Sequence, residues 1–149
     1  MNRIFLEKAF NYAEIAYQNN EVPIGAVIVK DGNIVSFGYN QKEEDKCVLK
    51  HAELIAIEKA SKLLDNWRLD DCDLYVTLDP CPMCASAIKQ ARIRNVYSAL
   101  SNSDSSNLAI IQEIFKKDST NPDVHFETNL DVEKSKKILN EFFKKQRDN

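Results

Sequence analysis

A three-layer α/β sandwich, with helices covering a central mixed five-stranded sheet, is the fold class this sequence predicts. Three observations carry it. Segments with apolar residues at spacings of three and four alternate with short runs rich in β-branched residues, the pattern of helices packed on a sheet. The first two of those runs adjoin across Asp31-Gly32, which reads as a hairpin. The chain has 149 residues, 44% of them hydrophobic, enough for one core and no more than one domain, so residues 1–149 are read as a single unit.

Residues 3–18 carry Phe5, Ala9, Tyr12, Ala13 and Ala16 at helical spacing, with Glu7, Lys8 and Glu14 elsewhere, and predict an amphipathic helix ending near Asn19-Asn20. Residues 24–29 are an almost unbroken apolar run, expected as a strand buried on both faces, and residues 34–37 are its hairpin partner. The polar residues 41–50 are read as a loop. A helix follows over about 51–64, with Leu54, Ile55, Ile57, Ala60, Leu63 and Leu64 as its buried side. Residues 73–78 form a strand that delivers the chain to Pro80, and a helix runs from Pro82 to about Gln90. Residues 95–99 are a short strand and 101–107 a polar loop. Helical spacing returns at Leu108 to Phe115, residues 124–128 are a strand candidate, and a terminal helix from Val132 presents Ile138, Leu139, Phe142 and Phe143 on one stripe.

The bulk numbers exclude some functions. A net charge of −3 argues against a surface built wholly for nucleic acid. A local basic patch remains open at residues 131–149, where Lys134, Lys136, Lys137, Lys144, Lys145 and Arg147 outnumber four acids, although an exposed helix face reads the same way. The longest apolar run, residues 22–29, is broken by Pro23 and Gly25 and falls far short of the roughly 20 residues a membrane span requires. No membrane association is expected. Charged Glu7 and Lys8 directly after Ile4-Phe5-Leu6 leave no signal-peptide core, so the expected location is the cytoplasm, where four cysteines favour metal binding over disulfides.

Two short stretches carry the chemistry. Cys81 and Cys84, in Asp79-Pro80-Cys81-Pro82-Met83-Cys84, are three apart and lie on one face of a first helical turn. Pro82 fits the first helical position and makes Cys81 the N-cap. His51 and Glu53, in His51-Ala52-Glu53, would diverge by about 200° on a regular helix, so they belong at a helix start, where His51 is not yet helical. Two helix N-termini then face a common ion. The ligand set is His51, Cys81 and Cys84, three protein groups with the fourth tetrahedral position left to water, as in catalytic zinc sites. Glu53 is the candidate general base. A structural zinc with Cys47 as fourth ligand and a redox Cys-x-x-Cys are the competing readings. Cys72, His125, Trp67 and Tyr75 read as packing, surface or interface residues.

These residues resemble the zinc-dependent cytidine-deaminase-like superfamily, and within it the bacterial tRNA-specific adenosine deaminases. The matching pieces include Glu21-Val22-Pro23-Ile24-Gly25, Asn40, His51-Ala52-Glu53, Asn66-Trp67-Arg68-Leu69, Cys81-Pro82-Met83-Cys84, Arg92-Ile93 and Phe142-Phe143. The resemblance implies hydrolytic deamination of the wobble adenosine to inosine, one zinc per subunit, and a homodimer. It implies substrate contacts from Asn40, the backbone around Ala52, and Val22, with the tRNA anticodon loop as partner. A free nucleobase, nucleoside or nucleotide is the alternative substrate, and a zinc-stabilised binding module without turnover the third reading. The chain departs from the family at Cys47-Val48-Leu49-Lys50, usually Asp-Pro-Thr-Ala, and at Asp79, usually glutamate. It also departs at residues 100–104, usually a glycine-rich loop, and at Asn121-Pro122-Asp123, usually Asn-His-Arg. All four bear on the substrate rather than on the chemistry.

Overall fold

The computed structural model describes residues 1–102 and 105–148. Helix α1 (Arg3–Gln18) leads into strands β1 (Gly25–Lys30) and β2 (Asn33–Tyr39), then a short helix α2 (Lys42–Asp45) and helix α3 (Ala52–Leu64). Strand β3 (Cys72–Val76), helix α4 (Pro82–Gln90), strand β4 (Asn95–Ser98), helix α5 (Ser105–Ile114), strand β5 (His125–Glu127) and helix α6 (Val132–Arg147) complete the chain. The strands form one sheet in the order β2-β1-β3-β4-β5. Strand β1 is antiparallel to β2 and β3, while β3-β4 and β4-β5 are parallel, so the sheet is mixed and five-stranded as predicted. Among the described residues, no helix is long and apolar enough to cross a membrane.

The period of two along β1 explains its continuous apolar run. Ala26 and Ile28 point into one core with Leu74, Val76, Ile88 and Ile111, whereas Val27 and Val29 point into the other with Leu6, Phe10, Tyr75 and Tyr97. Helices α3, α4 and α5 cover the first face and α1 the second, which makes three layers. Helix α6 lies beside α1, with Tyr17 edge-on to Phe142 at 6.2 Å. The hairpin closes as its Asp-Gly pair predicts, with positive φ at both Asp31 (52°) and Gly32 (76°).

Several boundaries differ from expectation. Residues 41–50 are not a simple loop, because residues 42–45 form one helical turn that ends at Lys46 in the left-handed region. Helix α5 begins at Ser105, inside the expected loop 101–107, since a first turn of serines and asparagine hides an amphipathic pattern that shows only from Leu108; residues 103 and 104 lie outside the described residues. On α1 the buried stripe is Leu6, Ala9, Phe10, Ala13 and Ala16. On α3, Leu63 is 66% exposed rather than buried. Helix and strand advance together from Gly38 beside Ala52 to Ser36 beside Ala56, and β2 ends before the helix reaches Leu63.

That helix–strand contact is close enough to require glycine. A Cβ on Gly38 would stand 2.1 Å from the Ala52 carbonyl oxygen and 2.9 Å from the Ala56 amide nitrogen, both backbone atoms. Gly38→Ala is expected to destabilise the protein by about 3 kcal/mol, read as the shift in a chemical denaturation midpoint at unchanged slope. A loss under about 0.5 kcal/mol would show that α3 can move off the sheet freely.

Candidate active site

Strand β3 brings the chain to Thr77, and the following residues turn into α4. Cys81 is the N-cap in extended conformation (φ −71°, ψ 168°), Pro82 occupies the first turn, and the Ala85 amide donates to the Cys81 carbonyl at 2.8 Å. Cys84 sits one turn in and is fully buried. On the other side, His51 is the N-cap of α3 (φ −86°, ψ 149°), with the Ile55 amide on its carbonyl at 3.1 Å. Both placements are those the spacing required. Two helix N-termini converge, and their unpaired N–H groups favour the negative charge of thiolates.

His51, Cys81 and Cys84 form a group whose ligand atoms lie within 4.8 Å of one another. The His51 Nδ1 is 3.7 Å from Cys81 Sγ and 3.5 Å from Cys84 Sγ. A tetrahedral zinc with bonds of about 2.3 Å to sulfur and about 2.0 Å to nitrogen would set nitrogen and sulfur about 3.5 Å apart, which both nitrogen–sulfur distances match. Cys47 is not in the group, which removes the structural four-ligand reading. The Cys84 thiol beside it lowers the pKa of Cys81 to about 5, whereas the same neighbour together with burial raises that of Cys84.

Glu53 follows His51 by two residues in the first turn of α3 and is 4% exposed. Burial raises its pKa from 4.5 to about 7; hydrogen bonds from its own backbone amide and from the Cys84 thiol oppose that rise, and the Cys81 charge adds to it. A carboxyl poised near neutrality beside a cluster that could hold a metal ion can take up and return a proton at physiological pH.

Asn40, at the end of β2, accepts a hydrogen bond from the Ala52 amide on its Oδ1 at 2.9 Å. It thereby caps α3 in place of His51, which makes no side-chain cap bond and keeps its ring for the cluster. The Asn40 Nδ2 has no hydrogen-bond partner among the described residues. Ala52 is fully buried. Asn40 and Val22 line a cavity of about 480 Å³ with Lys42, Glu43, Phe142 and Phe143. Val22 and Phe143 also border a second cavity of about 340 Å³ with Leu78, Leu100, Asn102 and Lys136. The apolar stripe of α6 is therefore divided. Ile138 and Phe142 are buried, whereas Phe143 is 46% exposed and lines the cavities.

Two site residues carried no signal in the sequence beyond their place in a motif. The buried Asp79 carboxylate accepts from the Thr128 hydroxyl at 2.6 Å, which ties the turn before Cys81 to the end of β5. The buried Glu21 carboxylate accepts from the Glu43 and Glu44 amides at 3.0 and 2.7 Å. Of the remaining candidates, Tyr75 is core and Cys72 is buried, while His125 is exposed and bonded to Glu127. Trp67 is 60% exposed, with the Arg68 and Arg92 guanidinium groups near its ring.

Comparison with known proteins bears on what this arrangement does. A family model described as MafB19-like deaminase matches residues 2–147. A tRNA-specific adenosine deaminase of Streptococcus pyogenes serotype M1 is 38% identical over 144 residues, covering 97% of this chain and 84% of the relative. A solved structure described with A-to-I editing by tRNA:A34 deaminases at the wobble position superposes with a TM-score of 0.84 at 36% identity, covering 93% of this chain and all of that one. The guanine deaminase from Bacillus subtilis gives a TM-score of 0.66, also at 36% identity, over 85% of each chain.

Proposed function

The chain belongs to the MafB19-like deaminase family, and from that premise we propose that it is a zinc-dependent hydrolytic deaminase that converts the wobble adenosine of tRNA to inosine. The observation that carries this reading is the His51, Cys81 and Cys84 cluster with buried Glu53 beside it, in a chain 38% identical to tRNA-specific adenosine deaminases. His51 Nδ1, Cys81 Sγ and Cys84 Sγ would hold the metal. When bound, zinc brings the pKa of a coordinated water toward neutrality.

The remaining work falls to the protein. Glu53 accepts a proton from the attacking water and returns it to the departing amine, so adenosine and water become inosine and ammonia. The Asn40 amide, held by its bond to Ala52, presents its Nδ2 to the substrate, and the backbone around Ala52 meets the reacting edge. Val22 and Phe143 enclose the base in the cavity they line. An enzyme of this kind works in the cytoplasm, where its tRNA substrates are.

We infer from the resemblance that the chain forms a homodimer. Light scattering is expected to give twice the 17.1 kDa chain mass. A monomer mass at micromolar concentration would remove this assignment.

A second reading, deamination of a free purine, is favoured by the equal 36% identity to guanine deaminase, but the TM-score falls from 0.84 to 0.66 between the two structures. Ammonia release from an anticodon stem-loop, set against a panel of free bases, nucleosides and nucleotides, decides between them. Turnover of the free compounds alone would reject the tRNA reading.

A further inference from the structure

Between Asn40 and His51 the chain makes an excursion whose ends are tied to each other, the Gln41 amide donating to the Lys50 carbonyl at 3.0 Å. Within it, Asp45 bonds back to Gln41, Cys47 to Lys42 and Lys50 to Cys47, all through backbone groups. Helix α2 at its tip buries none of its residues. The excursion is therefore a flap with its own internal bonding and no apolar anchor.

Among the described residues, one side chain ties that tip to the body of the protein. Glu21 is 2% exposed, and its two oxygens accept from the Glu43 and Glu44 amides at 3.0 and 2.7 Å. Its own amide donates to the Ala16 carbonyl at 2.9 Å, which fixes it to the end of α1. The carboxylate thus caps a four-residue helix from 22 positions away, and ionised acceptors make the stronger hydrogen bonds. The flap it holds is one wall of the proposed substrate cavity. Lys42 and Glu43 of α2 line it together with Phe142 and Phe143 of α6, Asn40, Val22 and Glu21 itself. The last residue of the excursion, Lys50, adjoins the ligand His51.

We propose that Glu21 is a positioning residue for the reaction, acting through the flap 41–50 to set the width of the substrate mouth; this rests on the deaminase reading above. Glu21 touches neither the ligands nor Glu53. Losing it loosens the wall and leaves the reacting groups in place.

The test is the pair Glu21→Ala and Glu21→Gln in the zinc-loaded full chain. Amide hydrogen exchange at Glu43 and Glu44 is expected to rise at least about tenfold in Glu21→Ala, with β1 and α3 unchanged. On the anticodon stem-loop, KM is expected to rise about tenfold with kcat within about twofold of the parent, and zinc to stay at one per chain. Unchanged exchange at 43 and 44 overturns the proposal. So does faster exchange spread over β1 and α3, or a fall in kcat at constant KM, since Glu21 would then hold the fold or the chemistry instead of the mouth. If Glu21→Ala does not fold, Glu21→Gln, which keeps the shape and loses one acceptor, carries the same readings. A parent inactive on the stem-loop counts against the tRNA function, while the exchange pattern still decides whether Glu21 holds the flap.

Discussion

Glu53→Gln is expected to lower kcat on the deamination substrate by about 10²–10⁴-fold, with zinc retained at one per chain. The amide has nearly the volume of the carboxyl but cannot take a proton from the attacking water, and His51, Cys81 and Cys84 are untouched. A variant with more than a tenth of the parent activity would mean that another group carries the proton.

The same substitution has a second expected effect, on the stability of the metal-free protein. Burial raises the folded pKa of Glu53 from 4.5 to about 7, so over that interval the native state binds more protons than the unfolded chain. The associated stability is present below about pH 4.5 and is lost as the pH rises to about 7, on the order of 3 kcal/mol. The metal-free Glu53→Gln protein should therefore be more stable than the metal-free parent at pH 8 and little different near pH 4.5. Equal unfolding midpoints at pH 8 would show that the buried carboxylate carries no such penalty.

Removing the metal is expected to abolish turnover altogether. Dialysis against a strong chelator should reduce activity to background, zinc should restore it, and Cys84→Ala should not regain activity at any zinc concentration that leaves the protein soluble. The reason lies in the donor set. Three protein ligands and one open position are the minimum of a catalytic tetrahedral site, and losing a buried thiolate leaves two. A three-ligand cluster assembled by folding is expected to bind zinc more tightly than the unfolded chain does, so zinc should also raise the unfolding midpoint of the parent in a concentration-dependent way. Full activity after chelation would reject the metal assignment.

Much of the site was legible because its chemistry is local. Cys81 and Cys84 share a helical turn, and Pro82 marks where that turn starts. His51 and Glu53 could serve one site only if His51 preceded its helix, and it is the N-cap of α3. The hairpin followed from Asp31-Gly32, and the doubly buried β1 from its unbroken apolar run. Family resemblance, rather than spacing, pointed to Asn40 and Val22.

Other features depended on contacts that no local pattern encodes. Glu21 and Asp79 stood out only by their place in the family motifs, and their contacts appear only when the fold sets the amides of residues 43 and 44 against Glu21 and brings Thr128 to Asp79 from the end of β5. Leu63 has the angular position of a core residue, yet the strand beneath it ends too soon, and Phe143 belongs to an apolar stripe whose edge lines a cavity. Periodicity determines which side of an element is apolar, because that is geometry within one element. Whether another element reaches that side, and which buried carboxylate meets which amide, is set by packing among segments distant in sequence. By itself this sequence determined the layered fold and singled out His51, Cys81, Cys84 and Glu53 as the candidate ligands and base; the tertiary structure brought the first three into one cluster and decided how Asn40, Glu21, Asp79 and Phe143 are arranged around them.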